Sequence, residues 1–344
     1  MAVSTASASR STSRGAAAKA SGRKPLTSEQ FQERFETIVG NIEQVIKGKG
    51  RPIRMVITAI LAEGHVLLED LPGTGKTMLA RSIAQTIQAE NARIQCTPDL
   101  LPSDITGSSV VDMATREFKF RAGPVFTNIL LADEINRATP KTQSSLLEAM
   151  QERRVSVDGI THNLPKPFLL LATQNPIELA GTFPLPEAQL DRFLFKISLG
   201  YPDSDAEMEI LEANSQNEAI DRLKPACSLD DVLDLQDWPK GVEVAEPVRR
   251  YIVEICQATR TDPSLQLPAS PRASLALMRA SRVVAAANGR EDVIPDDVKS
   301  VLHPVLAHRI ALTPDAELRD DTIDKVIERI TSRVKPPLGV GQAA

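Results

Sequence analysis

Aromatic residues, cysteines and long apolar runs are all scarce in this chain of 344 residues. Phe, Trp and Tyr make up only 3% of it, and its three cysteines (Cys96, Cys227 and Cys256) are widely spaced. That spacing gives neither a disulfide framework nor a Cys-x-x-Cys metal site, and so few cysteines suit the reducing cytoplasm. No apolar run approaches the roughly 18–20 residues of a membrane span, so the sequence predicts a soluble protein.

Acidic residues are absent from the beginning of the chain, where the first is Glu29. Residues 1–25 consist mostly of Ser, Ala, Thr and Gly, which bury too little surface to fold, so we expect a disordered tail. Its basic residues are Arg10, Arg14, Lys19, Arg23 and Lys24. A transit peptide shares this composition, but the segment shows little helical apolar periodicity and lacks the apolar core of a secretory signal.

Five short apolar segments in the first two thirds of the chain are typical of β-strands. Several are apolar on consecutive residues, as in strands that are buried on both faces of a parallel sheet. Between the first two, Thr77–Ala89 places Leu79, Ile83 and Ile87 on one helical face. Strands that alternate with helices predict a three-layer αβα domain with a parallel five-stranded sheet. The predicted strands are His65–Glu69, Arg93–Cys96, Asn128–Ala132, Pro167–Thr173 and Phe193–Ile197.

Beyond about Pro202 the apolar residues recur at helical spacing instead. Ser270-Pro271 and Thr313-Pro314 each combine a good N-cap residue with a proline, which is favoured in the first helical turn. The pattern predicts an all-helical domain of four or five helices. We expect the αβα domain to span residues 26–201, the helical domain 202–335, and a flexible C-terminal tail 336–344.

The segment from Leu67 to Thr77, Leu-Leu-Glu-Asp-Leu-Pro-Gly-Thr-Gly-Lys-Thr, has the pattern of a phosphate-binding loop between a strand and a helix. Gly73 and Gly75 let backbone N–H groups point at an anion, and the helix N-terminus adds partial positive charge there. Lys76 would reach the β- and γ-phosphates of ATP, and the Thr77 hydroxyl would bind Mg²⁺. One departure is Asp70, because the GxxxxGK[ST] pattern has glycine at that position.

Two adjacent acids, Asp133 and Glu134, follow an apolar strand. The carboxyl ends of parallel strands form the ligand crevice of such domains, so we expect these acids to meet the bound phosphates. Asp133 would hold Mg²⁺ through its water shell. Glu134 would orient and polarise the attacking water, which separates hydrolysis from simple nucleotide storage. The predicted nucleotide-binding residues are Asp70, Leu71, Pro72, Gly73, Thr74, Gly75, Lys76, Thr77, Met78 and Asp133.

With these motifs the chain resembles the MoxR-type AAA+ ATPases over roughly residues 38–334. The resemblance implies a P-loop NTPase domain of the AAA+ kind followed by a helical lid. The Glu-Asp-x-Pro-Gly form of the loop is usual in that family, so Asp70 fits it. The matching runs are Leu68–Thr77, Asp133–Ala138, Lys141–Gln143, Leu146–Glu152, Ala172–Pro176 and Pro184–Phe193.

The resemblance also implies catalytic roles for two residues near the fourth and fifth strands. Asn175 matches the sensor-1 residue, which helps to place the attacking water, although an Asn-Pro turn would also explain it. Arg192 matches the arginine finger, which acts on ATP bound by the neighbouring subunit and is worth ~10³–10⁵ in rate. The alternative for Arg192 is a salt bridge with Asp191 or Glu187.

Two further arginines have open interpretations. Arg272 matches the sensor-2 arginine at the start of a lid helix, where it would touch the γ-phosphate and couple hydrolysis to lid movement. A solvated arginine in a first helical turn is the alternative. Arg137 either contacts nucleotide across the subunit interface or lies on its helix surface.

Two insertions have features of β-hairpins. Arg153–His162 alternates around Asp158-Gly159, a strong hairpin signal, where helicase-like and chelatase-like AAA+ proteins carry a presensor hairpin. Glu117–Phe120, within the long connection Thr97–Phe126, is either part of a second hairpin facing a central pore or a plain surface loop. Neither has the dense basic and aromatic residues of a nucleic-acid groove.

The function that we expect is Mg²⁺-dependent ATP hydrolysis. The resemblance implies a hexameric ring that remodels or matures a protein client together with a von Willebrand factor A domain protein. A nucleic-acid motor is the alternative, but a net charge of -5 and few aromatic residues argue against it. A scaffold that binds ATP and hydrolyses it slowly is a third possibility, and the intact Glu134 speaks against it.

Overall fold

The computed structural model describes residues 26–177, 181–212 and 220–337. The predicted tail at residues 1–25 lies outside the described residues, as do all but two residues of the predicted tail at 336–344. The strands are β1 (Val66–Glu69), β2 (Asn91–Gln95), β3 (Gly107–Val111), β4 (Phe118–Ala122), β5 (Ile129–Asp133), β6 (Arg154–Val157), β7 (Ile160–Asn163), β8 (Leu169–Gln174), β9 (Phe195–Ile197), β10 (Leu265–Leu267) and β11 (Ala311–Leu312).

The described helices flank this set of strands and then dominate the last third of the chain. Those of the first part are α1 (Ser28–Glu43), α2 (Gly50–Leu61), α3 (Lys76–Thr86), α4 (Pro102–Thr106), α5 (Pro140–Glu152) and α6 (Glu187–Leu190). Those of the last part are α7 (Ser204–Glu212), α8 (Leu229–Asp237), α9 (Glu246–Arg260), α10 (Pro271–Ala287), α11 (Pro295–Leu306), α12 (Pro314–Leu318) and α13 (Ile323–Arg333).

The central sheet has five parallel strands, as predicted, and their order is β2-β5-β8-β1-β9. Every residue of β5 is buried, because helices cover both faces. Alternate residues face opposite layers, so Leu68 packs with the helices α1 to α3 and Leu67 with α4 and α5. The two layers of helices confirm the αβα arrangement.

The predicted strand ends differ from the observed ones by one or two residues. The starts of β2, β8 and β9 each differ by two residues, and β9 begins at Phe195 rather than Phe193. Phe193 is fully buried, but it lies in a turn in which its N–H donates to the Leu190 carbonyl. The apolar run therefore predicted the burial of this segment correctly, but apolar character alone does not distinguish a strand from a buried turn.

The C-terminal part is a helical lid, as predicted, but its described residues form seven helices rather than four or five, and it has one addition. A two-stranded antiparallel ribbon, β10 with β11, lies among its helices. These strands are only two or three residues long, too short for any periodicity to reveal them. The long helix α10 packs against α9 and α11 within the lid and against α1 and α2 of the first part.

Both expected hairpins are present. β6 pairs with β7 around Asp158 and Gly159, whose φ angles of 51° and 78° are those of a type I′ turn. β3 pairs with β4, so Glu117–Phe120 belongs to a hairpin and not to a plain loop. The hairpins touch through Phe120 and His162, whose rings stack 4.0 Å apart.

Among the described residues, no helix is both long enough and apolar enough to cross a membrane.

Candidate functional site

The phosphate loop lies between β1 and α3, at the carboxyl end of the central sheet. Gly73 and Gly75 have φ angles of 82° and 88°, which L side chains rarely adopt. A Cβ atom at either glycine would meet no atom within 4 Å, so the backbone conformation, and not lack of space, requires glycine. These turns direct the backbone toward the first turn of α3, where unpaired N–H groups favour an anion.

Lys76 is the first residue of α3, and its ammonium group folds back over the loop. Its Nζ donates to the carbonyl oxygens of Asp70 and Leu71, at 3.0 Å each. The lysine is therefore already held above the loop, where phosphate oxygens would replace or join these carbonyls. This contact also closes the loop into a compact ring.

The Asp70 carboxylate faces away from the loop interior. It accepts hydrogen bonds from the Ser198 hydroxyl (2.6 Å), the Leu199 N–H (2.7 Å) and the Gly200 N–H (2.9 Å). Asp70 is only 4% exposed. Asp70 borders the cleft, as expected of a nucleotide-binding residue, but its side chain fastens the loop to the segment after β9.

Asp133 ends β5 and reaches the same cleft. Its Oδ1 accepts from the Thr173 hydroxyl at 3.0 Å, and its Oδ2 accepts from Arg93 Nε at 2.7 Å. The adjacent Cys96 is buried, and burial together with the acids Asp133 and Glu134 raises the pKa of its thiol to about 12. The cysteine is therefore a neutral neighbour and offers no thiolate to a metal.

Glu134 follows with a left-handed backbone, φ 55° and ψ 52°. A non-glycine residue in this conformation costs about 1–3 kcal/mol, and such residues cluster at active sites. Its N–H donates to the Thr173 hydroxyl at 2.8 Å. Its Oε2 accepts from Gln95 Nε2 at 2.9 Å and from Arg137 Nη1 at 3.3 Å. Arg137 thus contacts the acid of its own chain.

Sequence reasoning missed Arg93, Gln95 and Thr173. Arg93 and Gln95 lie in β2 and Thr173 lies in β8, and these two strands are the neighbours of β5. Arg93 and Gln95 are two residues apart on one strand, so they face the same side. That spacing was visible in the sequence, but only the strand order shows that the side faces Asp133 and Glu134.

Asn175 follows β8 and lines the cleft beside Glu134. Its Oδ1 accepts from the Ile177 N–H at 3.1 Å, which forms an Asx turn. The turn expected at Asn175 is therefore present, and the same residue borders the cleft.

These residues surround one cleft of about 360 Å³, which we call the phosphate-loop cleft. Its oxygen donors, the Thr77 hydroxyl and the Asp133 carboxylate, are of the hard type that Mg²⁺ prefers. Among the described residues no three His, Cys, Asp or Glu side chains form a cluster that could hold a metal alone. Mg²⁺ commonly binds through one or two protein oxygens with water and phosphate, so the donor set fits this ion. The residues around this cleft are Asp70, Pro72, Gly73, Thr74, Gly75, Lys76, Thr77, Met78, Arg93, Gln95, Asp133, Glu134, Thr173 and Asn175.

Arg192 and Arg272 lie elsewhere, in a second cleft of about 330 Å³. Glu63, Gly64 and His65, which precede β1, also line it, whereas the phosphate loop follows β1. The two clefts therefore lie at opposite ends of that strand. We call the second one the arginine cleft, defined by Arg153, Arg192, Arg272, Arg279 and Arg309.

The expected contacts of these two arginines differ from the observed ones. Arg272 is not brought to the phosphate loop of its own chain, because the lid helix α10 begins beside the arginine cleft. Within the described residues Arg192 makes no ion pair with Asp191 or Glu187, and its buried Nε has no hydrogen-bond partner. Asp191 pairs with Arg309 instead.

Comparison with known proteins agrees with this architecture. Residues 65–195 match the ATPase family associated with various cellular activities (AAA), and residues 257–330 match the AAA lid domain. A crystal structure of a proposed ATPase from Cytophaga hutchinsonii superposes with a TM-score of 0.84 at 37% identity, covering 90% of this chain and 97% of that one.

Several curated relatives extend over nearly the whole chain. The uncharacterized protein YeaC of Bacillus subtilis is 47% identical over 90% of this chain and 98% of its own length. Chaperone MoxR1 of Mycobacterium tuberculosis is 42% identical over 88% of this chain and 82% of its own. Protein MoxR of Paracoccus denitrificans is 32% identical over 85% and 93%.

The chain belongs to the MoxR family of AAA+ ATPases. The family resemblance read from the motifs is thereby confirmed, as is the AAA+ fold with its helical lid. ATPases of the AAA kind use a nucleotide and Mg²⁺ in general, and the phosphate-loop cleft of this MoxR protein has the groups to hold both.

Proposed function

We propose that this MoxR protein hydrolyses ATP at a site that two neighbouring subunits of a ring complete together. The observation that carries this proposal is the separation of the two clefts by strand β1. Lys76, Asp133 and Glu134 are in one cleft, and Arg192 and Arg272 are in the other. A second subunit, with its arginine cleft against the first subunit's phosphate loop, would supply the missing positive charge.

The phosphate-loop cleft contributes binding and activation of water. The loop N–H groups and Lys76 hold the phosphates, and Thr77 and Asp133 hold Mg²⁺, partly through water. The ion would neutralise charge on the β- and γ-phosphates. Glu134 orients and polarises the attacking water, and Asn175 helps to place it.

The arginine cleft contributes charge stabilisation in trans. Arg192 acts as the arginine finger on the neighbour's ATP, and Arg272 joins it from the same cleft. In this proposal Arg272 contacts the nucleotide bound by the neighbouring subunit, and not the nucleotide bound by its own subunit as the sensor-2 match implied. Arg137 stays on the nucleotide-binding side, because it contacts Glu134 of its own chain.

A protein client agrees better with the hairpins than a nucleic acid does. The β3–β4 hairpin exposes apolar side chains near its turn, where Met113 is 89% exposed and Phe118 is 76% exposed. Apolar exposed patches favour protein contacts, whereas nucleic-acid sites need basic side chains.

We propose a hexameric ring that remodels or matures a protein client in the cytoplasm, with a von Willebrand factor A domain partner. We also propose the domain boundaries 26–201 and 202–335.

The test is ATP turnover per subunit with Mg²⁺ as the protein concentration is raised, combined with mass measurement at each concentration. Turnover should rise as the oligomer forms, because the neighbour completes the site. The matched control is Glu134→Gln, which should form the same oligomer and bind ATP without turnover. Full turnover by a species that is monomeric by mass would overturn the shared site.

A further inference from the structure

A buried ion pair joins the lid to the segment that carries Arg192. Arg309, after lid helix α11, donates from Nε to Asp191 Oδ1 at 2.8 Å. The side chains are only 3% and 16% exposed, respectively. Burial lowers the pKa of the Arg309 guanidinium, and the Asp191 carboxylate opposes this shift.

The same guanidinium also holds the backbone around Arg192. It donates to the carbonyl oxygens of Asp191 (3.1 Å) and Leu194 (3.1 Å), and also to that of Phe193. His308 Nε2 lies 3.0 Å from the Phe193 carbonyl oxygen. The chain is therefore fixed to the lid immediately before and immediately after Arg192.

Asp191 makes a second lid contact that reaches toward Arg272. Its Oδ2 accepts from the Ser270 hydroxyl at 2.9 Å. Ser270 is the N-cap of α10, and its Oγ accepts from the Arg272 N–H at 3.2 Å. One carboxylate thus connects the backbone positions of Arg192 and Arg272, which are 80 residues apart in the sequence numbering.

The orientation of the Arg192 side chain depends on the position of the backbone that the lid holds. Its Nε is buried without a hydrogen-bond partner among the described residues, so no bond from that atom fixes the side chain. A buried ion pair often adds little stability compared with apolar packing, because two charges lose their hydration. Such a pair can instead specify one geometry, and here the geometry is that of two arginines in one cleft.

We propose that Arg309, Asp191 and Ser270 are positioning residues that hold Arg192 and Arg272 as a single unit, so that the lid and the arginine finger move together. This inference rests on the trans site proposed above. A displacement of the lid would then withdraw or present both arginines to the neighbouring subunit at once. The alternative is that the ion pair only stabilises the fold of the chain.

The first experiment compares Arg309→Lys and Asp191→Asn with the wild-type protein. Lysine keeps the charge but loses the planar fork that spans the carboxylate and the carbonyls. Turnover should fall about 10- to 100-fold, because a misplacement of about 1 Å can cost that much. The KM for ATP should change by less than about twofold, because the phosphate-loop cleft is untouched.

Two lid variants serve as matched controls. Arg329→Lys changes an arginine that binds the buried Asp262 within the lid, and its described partners are Asp262, Ser264 and Asp321. Thr322→Ala removes an N-cap hydroxyl from α13, just as Ser270→Ala removes one from α10. Both controls should keep turnover within about twofold of wild type, whereas Ser270→Ala should lower it. Equal losses in controls and test variants would overturn the positioning role.

Subunit mixing then separates positioning from general damage. Asp191→Asn subunits should be rescued by Lys76→Ala subunits, which have an intact arginine cleft but no ATP. They should not be rescued by Arg192→Ala subunits, because both lack a working finger. Rescue by Arg192→Ala, or no rescue by either, would overturn the inference. If Arg192→Ala and Lys76→Ala fail to rescue each other, the proposed shared site fails first, and this inference fails with it.

Discussion

Asp70 shows how one carboxylate can shape a phosphate loop without touching a phosphate. It accepts three hydrogen bonds from residues 198–200 and is nearly fully buried. Those residues lead from β9 to the lid. The loop and the start of the lid are therefore joined at the residue where the general phosphate-loop pattern would have glycine.

Replacing Asp70 by asparagine should destabilise the protein by about 1–3 kcal/mol, because the amide group would face N–H donors and leave one without an acceptor. Denaturant unfolding monitored by circular dichroism measures this change. Asp296→Asn is a suitable control, because the Asp296 side chain is 77% exposed and pairs only with Lys299 among the partners described. An unfolding midpoint for Asp70→Asn equal to that of the control would contradict the anchoring role.

At the scale of secondary-structure elements, His65 connects β1, β8 and α5 at the amino end of the sheet. It precedes β1, its Nδ1 accepts from the Leu170 N–H of β8 at 3.0 Å, and its Nε2 lies 3.1 Å from the Met150 carbonyl oxygen of α5. The ring is therefore neutral with its proton on Nε2. Burial lowers the pKa of His65 to about 3.

This buried histidine predicts a loss of stability in acid. The folded state binds fewer protons than the unfolded state at pH values between about 3 and the ordinary histidine pKa of about 6.5. The contribution of His65 to the free energy of unfolding is therefore fully present above pH ~6.5 and is lost as the pH falls toward ~3. About 2 kcal/mol of this free energy is lost by pH ~5. Burial also lowers the pKa of His308, which acts in the same direction.

Unfolding free energies between pH ~7 and ~5 would measure this effect. His65→Gln keeps a donor and an acceptor but cannot be protonated, so its stability should depend less on pH than that of the wild type. His303→Gln is the control, because His303 is exposed. If wild type and His65→Gln lose the same stability on acidification, His65 is not a source of the acid sensitivity.

At the scale of the whole molecule, the positions of Arg192 and Arg272 determine how the subunits of the proposed ring would cooperate. Both line the arginine cleft at one end of β1, and the phosphate loop lies at the other end. If both arginines act on the neighbour's ATP, they must come from the same subunit. If Arg272 acted on its own nucleotide, they would come from different subunits.

Mixing Arg192→Ala with Arg272→Ala subunits distinguishes these arrangements. We expect no recovery of ATP turnover, because every interface lacks one of the two arginines. Mixing either variant with Lys76→Ala should recover part of the turnover, which serves as the positive control. Recovery between Arg192→Ala and Arg272→Ala would show that Arg272 acts within its own subunit.

The nucleotide site could be predicted largely from contiguous residues. The loop from Asp70 to Thr77 and the acids Asp133 and Glu134 belong to short runs, whose backbone requirements and polarity are visible locally. The order of apolar strands and helices likewise indicated the αβα layers and the helical lid. The Asp158-Gly159 turn predicted its hairpin because a type I′ turn needs positive φ at both positions.

Long-range packing decided what the sequence could not show. Arg93 and Gln95 face Asp133 and Glu134 only because β2 lies next to β5 in the sheet. Arg309 binds Asp191 across 118 residues of chain, and no local pattern marks that pair. The lid helix α10 begins beside the arginine cleft at the amino end of β1, so Arg272 lies away from the phosphate loop of its own chain. The sequence by itself therefore determined the family and the residues of the phosphate loop, because these reside in local motifs. The tertiary structure decided which cleft each arginine lines, because that depends on how distant elements pack.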